Sequence, residues 1–339
     1  MTQQRPVLGL GPHGEFAASV EQLQLEPQKI ERARAAAYRV ALVLHTTASD
    51  WSKLQIEGIS TTLAQFGASV VEIIDCDFSA KRQIEALRQL RSERPDAVLS
   101  IPVDTVATAE AHLELAAAGI TLVLMDNVPA GLLARKHYAS VVSADNFGNG
   151  QLAAELLSGA VRRGGSVGIV GFGVDFFVTN ERELGFRKWL KEHRPDVKTR
   201  HIVFPEPDSA GEAVIQFLAD QAVDAFFVVW DDPAMDVVDA LRRLGRSAPI
   251  TTVDLGERVA RELAGGGLIC GVAAQLPFDQ GVAEATTAIM ALVDQEPPPW
   301  IALPGLPVTR SNILEAYSAV WHRPAPPNLI AAVDAPPMR

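Results

Sequence analysis

From Arg39 onward the chain alternates short apolar runs with longer stretches whose apolar side chains recur at helical spacing, the pattern of repeated strand–helix units. Val40-Ala41-Leu42-Val43-Leu44 reads as a strand, and Leu54, Ile56, Ile59 and Leu63 mark the helix after it. Val70 to Ile74 is the next strand, followed by a helix carrying Ile84, Leu87 and Leu90. Ala97 to Leu99 precedes a helix from Thr105 to Ala118, and Thr121 to Met125 and Ser140 to Val142 are two further strands. A helix from Phe147 to Arg162 then restarts the series. Strands at Val167 to Val170, His201 to Phe204, Ala225 to Val229, Pro249 to Val253 and Leu268 to Ala273 follow. They are separated by helices near Glu181 to Glu192, Ala210 to Gln221, Met235 to Leu244 and Arg258 to Leu263, and a helix from Phe278 to Asp294 comes last. Strands that are apolar throughout have helices on both faces, so the sheets are parallel. Two such series predict an α/β chain of two doubly wound parallel-sheet lobes. Ahead of Arg39 the chain is polar and rich in Gly, Gln and Glu, with a short helix expected from about Pro27 to Ala37.

Ligands of open α/β sheets sit beyond the carboxyl ends of the strands, which directs attention to the residues there. The first strand is followed by His45, Thr46 and Thr47, then Asp50 and Trp51, and the fourth by Asp126 and Asn127. The first strand of the second series leads to Phe176, Phe177, Asn180 and Arg182. The later strands end at Trp230, Asp231 and Asp232, at Asp254, and at Gln275. Carboxylates accept from hydroxyls, amides and Arg donate to them, and aromatic faces cover C–H patches, so this mixture suits a hydroxyl-rich small molecule. Each residue also has a plainer reading. Asp126 and Asp232 suit caps, Trp51 and Trp230 suit the core, and extended Phe176 and Phe177 point to opposite sides, so only one faces a ligand. Arg182 opposes the dipole at a helix start, a misfit that favours a binding role. His45 reads as a core or rim histidine and stays outside the set. The set is therefore Asp50, Trp51, Asp126, Asn127, Phe177, Asn180, Arg182, Trp230, Asp231, Asp254 and Gln275.

Composition changes this picture mainly by exclusion. A net charge of −11 without a basic stripe argues against a nucleic-acid partner. Cys76 and Cys270 fall at strand ends in different lobes, where no disulfide is expected. No apolar run is long enough to span a bilayer. The first residues lack the basic end, apolar stretch and cleavage site of a secretory signal, so either a cytoplasmic chain or a trimmed secreted one is expected. Gly9, Gly11 and Gly14 match a dinucleotide-binding spacing but follow no strand and enclose Pro12. No P-loop, H-E-x-x-H, paired C-x-x-C or G-x-S-x-G is present, so no cofactor, metal or enzymatic activity is expected.

Several short segments, in order, resemble the pentose-, hexose- and polyol-binding proteins of bacterial ABC importers, the ribose-binding type of periplasmic binding protein. They are Ser100-Ile101-Pro102-Val103-Asp104, Leu124-Met125-Asp126-Asn127, Ser143-Ala144-Asp145-Asn146, Glu181-Arg182 with Gly185-Phe186, Thr252-Val253-Asp254 and Ala273-Ala274-Gln275-Leu276-Pro277. The resemblance runs from Arg39 to about Trp321. It implies ligand roles for Asp126, Arg182, Asp231, Asp254 and Gln275, with Asp50 and Trp51 representing the first loop. It also implies a ligand cleft between the lobes and a three-segment hinge near Ser143 to Asn146, Ala273 to Leu276 and Gly305 to Arg310. The corresponding division is an extension 1–38, one lobe of 39–143 plus 276–305, a second of 144–275 plus 306–322, and a flexible tail 323–339. A periplasmic monomer serving an ABC transporter permease is implied as well. Ile101 stands where ribose binders commonly carry Asn, and Asn127 where they carry Arg, which turns the expected ligand from ribose or an acidic sugar toward a neutral polyol or another pentose. On this reading Asp126→Ala and Arg182→Ala each weaken binding by about the worth of a charged hydrogen bond while the fold survives.

Three rival readings share these features. A lactose-repressor-type regulator has the same two lobes but needs about sixty residues of helix-turn-helix ahead of them. The polar segment before Arg39 has no such motif, which leaves at most an effector domain. Asp231 and Asp254 as the acid and base of a glycosidase compete with the many neutral hydrogen-bonding groups around them. A sugar-responsive sensor on the same fold remains open.

Overall fold

Arg39–Leu44 (β1) has five successive buried side chains, as a strand covered on both faces requires. A computed structural model describes residues 5–336. Before β1 come a short 3-10 turn at Val20–Gln22 and the helix Pro27–Ala36 (α1). After it the chain alternates through Asp50–Gln65 (α2), Ser69–Asp75 (β2), Ala80–Glu93 (α3), Ala97–Ser100 (β3), Ala109–Ala117 (α4), Thr121–Met125 (β4) and Ser140–Ala144 (β5). The second series is Asn146–Ser158 (α5), Ser166–Phe172 (β6), Phe177–His193 (α6), Lys198–Phe204 (β7), Ala210–Asp220 (α7), Ala225–Val228 (β8), Asp231–Arg243 (α8), Ile250–Val253 (β9), Glu257–Ala264 (α9) and Ile269–Ala274 (β10). Pro277–Leu292 (α10), Trp300–Leu303 (β11), Leu306–Val308 (β12), Ile313–Trp321 (α11) and Pro327–Asp334 (α12) complete the chain.

These elements form two compact units. The first unit, residues 9–144 and 277–303, carries a six-stranded sheet in the order β11-β5-β4-β3-β1-β2. The second, residues 5–8, 145–276 and 304–336, carries β12-β10-β9-β8-β6-β7. All pairings are parallel except β10 with β12. The two orders correspond strand for strand, so β4 and β9 hold equivalent places, as do β1 and β6. This is the type I periplasmic binding protein architecture of two α/β lobes.

Edge strands differ in how they are protected. β2 alternates exposed and half-buried side chains along its length. β11, at the opposite edge, is buried throughout because the N-terminal segment lies along it, with Ala18 N donating to Trp300 O at 2.9 Å. The helix α1 is tied to the end of α10 by Lys29 Nζ, which donates to Val293 O at 2.7 Å. Residues 9–38 are thus integrated into the first unit.

In each unit two helices meet at glycines that face the partner backbone. A Cβ on Gly58 of α2 would collide with Phe278 O, and one on Gly281 of α10 with Gln55 O. In the second unit Gly150 of α5 would collide with Arg182 O, and Gly185 of α6 with Phe147 O. Only glycine permits this approach.

Several boundaries differ from the sequence reading. The chain passes from the first unit to the second between Leu303 and Pro304, and Leu306–Val308 pairs with β10. The segment after Trp321, expected to be flexible, forms α12, where Leu329 is buried and Arg310 Nη2 donates to Val333 O at 2.8 Å. Cys76 and Cys270 are free and lie in different units.

Candidate functional site

In the first unit β4 ends on Asp126, which takes a left-handed backbone with φ of 60°. In the second, β9 ends on Asp254 with φ of 74°. Non-glycine residues seldom adopt this conformation, though Asp tolerates it better than most. The two equivalent strands therefore end in the same strained turn with the same side chain, and such outliers gather at functional sites. Both carboxylates are buried.

Around Asp254 the second unit gathers buried charged and amide side chains. Gln275 Nε2 donates to Asp254 Oδ1 at 2.8 Å, and Arg182 Nη1 lies 3.8 Å from Asp254 Oδ2. Arg182 is anchored separately, Nε donating to Asn146 Oδ1 and Nη1 to Val229 O, each at 2.9 Å. Burial pushes the Asp254 carboxyl up to about 6, against the pull of Arg182 and the Gln275 amide and with a small push from Asp232. Asp231 is bonded to backbone, accepting from Asp232 N at 2.9 Å and from Gly256 N at 3.1 Å. It thereby joins the start of α8 to the turn after β9.

The remaining second-unit residues are less closely drawn in. Trp230 is half-buried in an aromatic group, with its ring centroid 5.3 Å from those of Phe172 and Phe204. Phe177 opens α6 half-buried, whereas Phe176 beside it is buried. Asn180 is exposed and donates to Asp175 Oδ1 at 2.6 Å, so the structure does not bring it to Arg182.

In the first unit Ser49 caps α2 by accepting from Ser52 N at 3.1 Å, which fixes the turn carrying Asp50 and Trp51. Asp50 is half-buried, 3.4 Å from Lys53 Nζ. Trp51 is buried and its Nε1–H meets no hydrogen-bond partner among the described residues. Asn127 is fully buried. Its Nδ2 donates to Pro102 O at 3.5 Å, while Oδ1 has no protein partner. Gln275 Oε1, in the second unit, is likewise buried without a partner.

Two residues outside the sequence-derived set touch members of it. His45 stands edge-on to Trp51 and Phe78, at centroid distances of 5.6 and 5.0 Å, and burial lowers its pKa to about 4. It is therefore a neutral ring at ordinary pH. Asn146, the first residue of α5, orients Arg182. Its place in the Asp145-Asn146 motif was the available signal; nothing in its spacing pointed to the arginine.

The match to known families decides the assignment. Residues 40–296 match the periplasmic binding protein domain family. The chain belongs to that family. Solved structures with the same fold include an ABC transporter solute-binding protein from Agrobacterium vitis bound with α-D-tagatopyranose. It has a TM-score of 0.76 and 22% identity over 85% of this chain and 100% of that one. The periplasmic component of an ABC-type sugar transport system from Hahella chejuensis gives 0.73 and 19%, covering 80% of this chain and 99% of its own. A Mycobacterium smegmatis protein in complex with β-D-fucofuranose gives 0.74 and 18%, covering 88% and 98%. No curated protein sequence matches the chain.

Family membership makes this a binding protein. Among the described residues no group of three or more His, Cys, Asp or Glu is placed to hold a metal ion. None of their helices is long and apolar enough to cross a membrane.

Proposed function

We propose that the chain is the solute-binding component of an ABC sugar importer. It captures a neutral monosaccharide or polyol by lobe closure and delivers it to a membrane permease. Pentoses, tetritols and pentitols are the favoured ligands, and the protein acts as a periplasmic monomer. The observation that carries this reading is the set of buried polar atoms just beyond strand ends with no partner among the described residues: Trp51 Nε1, Asn127 Oδ1 and Gln275 Oε1. Buried polar atoms are normally satisfied. Each unit thus offers buried atoms of this kind near its strand ends, and donors and acceptors together suit hydroxyl groups, which donate and accept at once. The half-buried face of Trp230 and the edge-packed Trp51 suit the C–H faces of a sugar.

Charge narrows the ligand. Asp50, Asp126, Asp231 and Asp254 outnumber the single Arg182, so an acidic sugar would meet net repulsion. The solved relatives bound to tagatose, D-arabinose, D-allose and allitol support a hydroxyl-rich, uncharged ligand. A thermal-shift panel of pentoses, hexoses, tetritols and pentitols, with uronic acids for contrast, tests the class. At a hundred times its Kd a true ligand adds about 2.7 kcal/mol of stability. A panel in which only uronic acids raise the melting temperature contradicts the neutral-ligand reading.

A further inference from the structure

Ahead of the residues that match the family, the chain carries a segment bonded to the helix start next to the Arg182 anchor. Residues 5–8 belong to the second unit, whereas the chain from Gly9 onward belongs to the first. Leu8 N donates to Asp145 Oδ2 at 2.6 Å. Three residues earlier, Arg5 Nη1 and Nη2 reach the two carboxylate oxygens of Glu155 on α5, at 2.9 and 3.4 Å. That ion pair is half-exposed on both sides and contributes little. Apolar packing contributes little as well. The Leu8 side chain is exposed, and a cavity of about 170 Å³ remains against the segment, lined by Pro6, Leu8, Leu152 and Trp189 among others. The hydrogen bond from Leu8 N to a carboxylate, stronger than one between neutral groups, is therefore the principal tie.

Asp145 uses its two carboxylate oxygens in two directions. Oδ2 takes Leu8 N, and Oδ1 accepts from Gly148 N at 2.8 Å, which caps α5. A Cβ on Gly148 would collide with Oδ2, so the carboxylate is closely seated in this turn. The next residue, Asn146, holds the arginine: its Oδ1 accepts from Arg182 Nε at 2.9 Å. The backbone of Arg182 meets α5 as well, since a Cβ on Gly150 would collide with Arg182 O. Contacts thus run without a break from Leu8 through Asp145 and the adjoining Asn146 to Arg182, 3.8 Å from Asp254.

We infer that Asp145 is a positioning residue for Arg182, held in place from the N-terminal segment by the backbone N–H of Leu8. The N–H sets the carboxylate, the carboxylate sets the start of α5, and the first residue of α5 aims the guanidinium. The segment before the family domain is thereby part of the second-unit site. The consequence for sugar binding rests on the ligand role proposed for Arg182; the test does not.

Nitrogen-15 NMR of the arginine side chains in the ligand-free full chain reads Arg182 directly, and Arg182→Lys assigns its Nε–H signal. Leu8→Pro removes the backbone donor at an exposed, non-helical position. Asp145→Asn keeps a residue that caps helices but exchanges one carboxylate oxygen for an amide NH2, so one of the two bonds is lost. Each variant is expected to displace the Arg182 Nε–H signal. Leu8→Ala trims the exposed side chain, keeps the N–H and is expected to leave the signal in place. An Arg182 signal unmoved in either Leu8→Pro or Asp145→Asn, or displaced as far by Leu8→Ala, overturns the inference. No sugar enters the measurement, so a sugar panel without a hit would sink the functional proposal and leave the positioning role standing.

Discussion

Arg182 and Asp254 set the behaviour of the second-unit site residue by residue. Arg182 is buried and held by Asn146 and the Val229 carbonyl, with Asp254 beside it. Replacing it with Ala strands a buried carboxylate and, on the proposed reading, also removes a ligand donor. Arg182→Ala should therefore lower unfolding stability by about 3–5 kcal/mol as well as weaken sugar binding. Urea denaturation and a binding titration on the same sample separate the two effects. This revises the sequence expectation that the fold survives the change untouched. Asp254 gives a pH prediction of definite sign. Its folded pKa, about 6, lies above the ~3.9 of an unfolded aspartate, so the folded state retains a proton that the unfolded state has released. The stability contributed by this group is full below pH ~4, falls as pH rises to about 6, and is level above. Asp254→Asn should remove that descent from a plot of urea midpoint against pH. Asp126, Asp254 and Gln275 stood out as candidates because polar residues ending apolar strands have few structural excuses, and Arg182 because it opposes a helix dipole; all four are buried. Asn180, on an exposed helix turn, has Asp175 as a partner instead. His45 was passed over because a histidine ending an apolar run reads as core, and only the ring packing shows it beside Trp51.

At the scale of elements, the glycine-mediated helix pairs and the buried histidine of α4 control stability. Gly185→Ala would press a methyl group on Phe147 O, and Gly281→Ala would press one on Gln55 O. Each should cost about 1–3 kcal/mol by overpacking, read from urea midpoints. Gly185→Ala should weaken ligand binding as well, because Arg182 lies one turn away on the same helix. His112 is fully buried, with Nδ1 2.8 Å from Thr108 O and Nε2 3.0 Å from Ser100 Oγ, and burial lowers its pKa to about 4. An unfolded histidine titrates near 6.5, so the stability His112 supplies is full above that pH and is lost as pH falls toward about 4. His112→Gln should flatten the acid limb of the stability profile. Strand β1 and its parallel neighbours were readable because apolar runs of that length have no other use. β11, β12, α11 and α12 were not. The first two are three to four residues long beside Pro and Gly, and tertiary pairing rather than local pattern defines them. In the last, Pro327 is an N-terminal helical residue rather than the breaker it resembles.

Across the whole molecule, matched sheet orders place the two strained aspartates at equivalent strands, one in each unit. The family match covers residues 40–296, and residues 9–38 are built into the first unit, where Ala18 pairs along β11. The general class was legible from the alternation of strands and helices; the ligand was not, because a sugar is specified by the placement of a few hydroxyl partners rather than by periodicity. The most direct measurement is a calorimetric titration of the best neutral sugar or polyol from the thermal-shift panel into the wild-type chain, Asp126→Asn and Asp254→Asn. The account predicts one-to-one binding to the wild type. It also predicts a loss of roughly tenfold or more in each variant, the scale of a charged hydrogen bond. Unchanged affinity in both variants, or no heat and no melting shift with any neutral sugar or polyol, would contradict it.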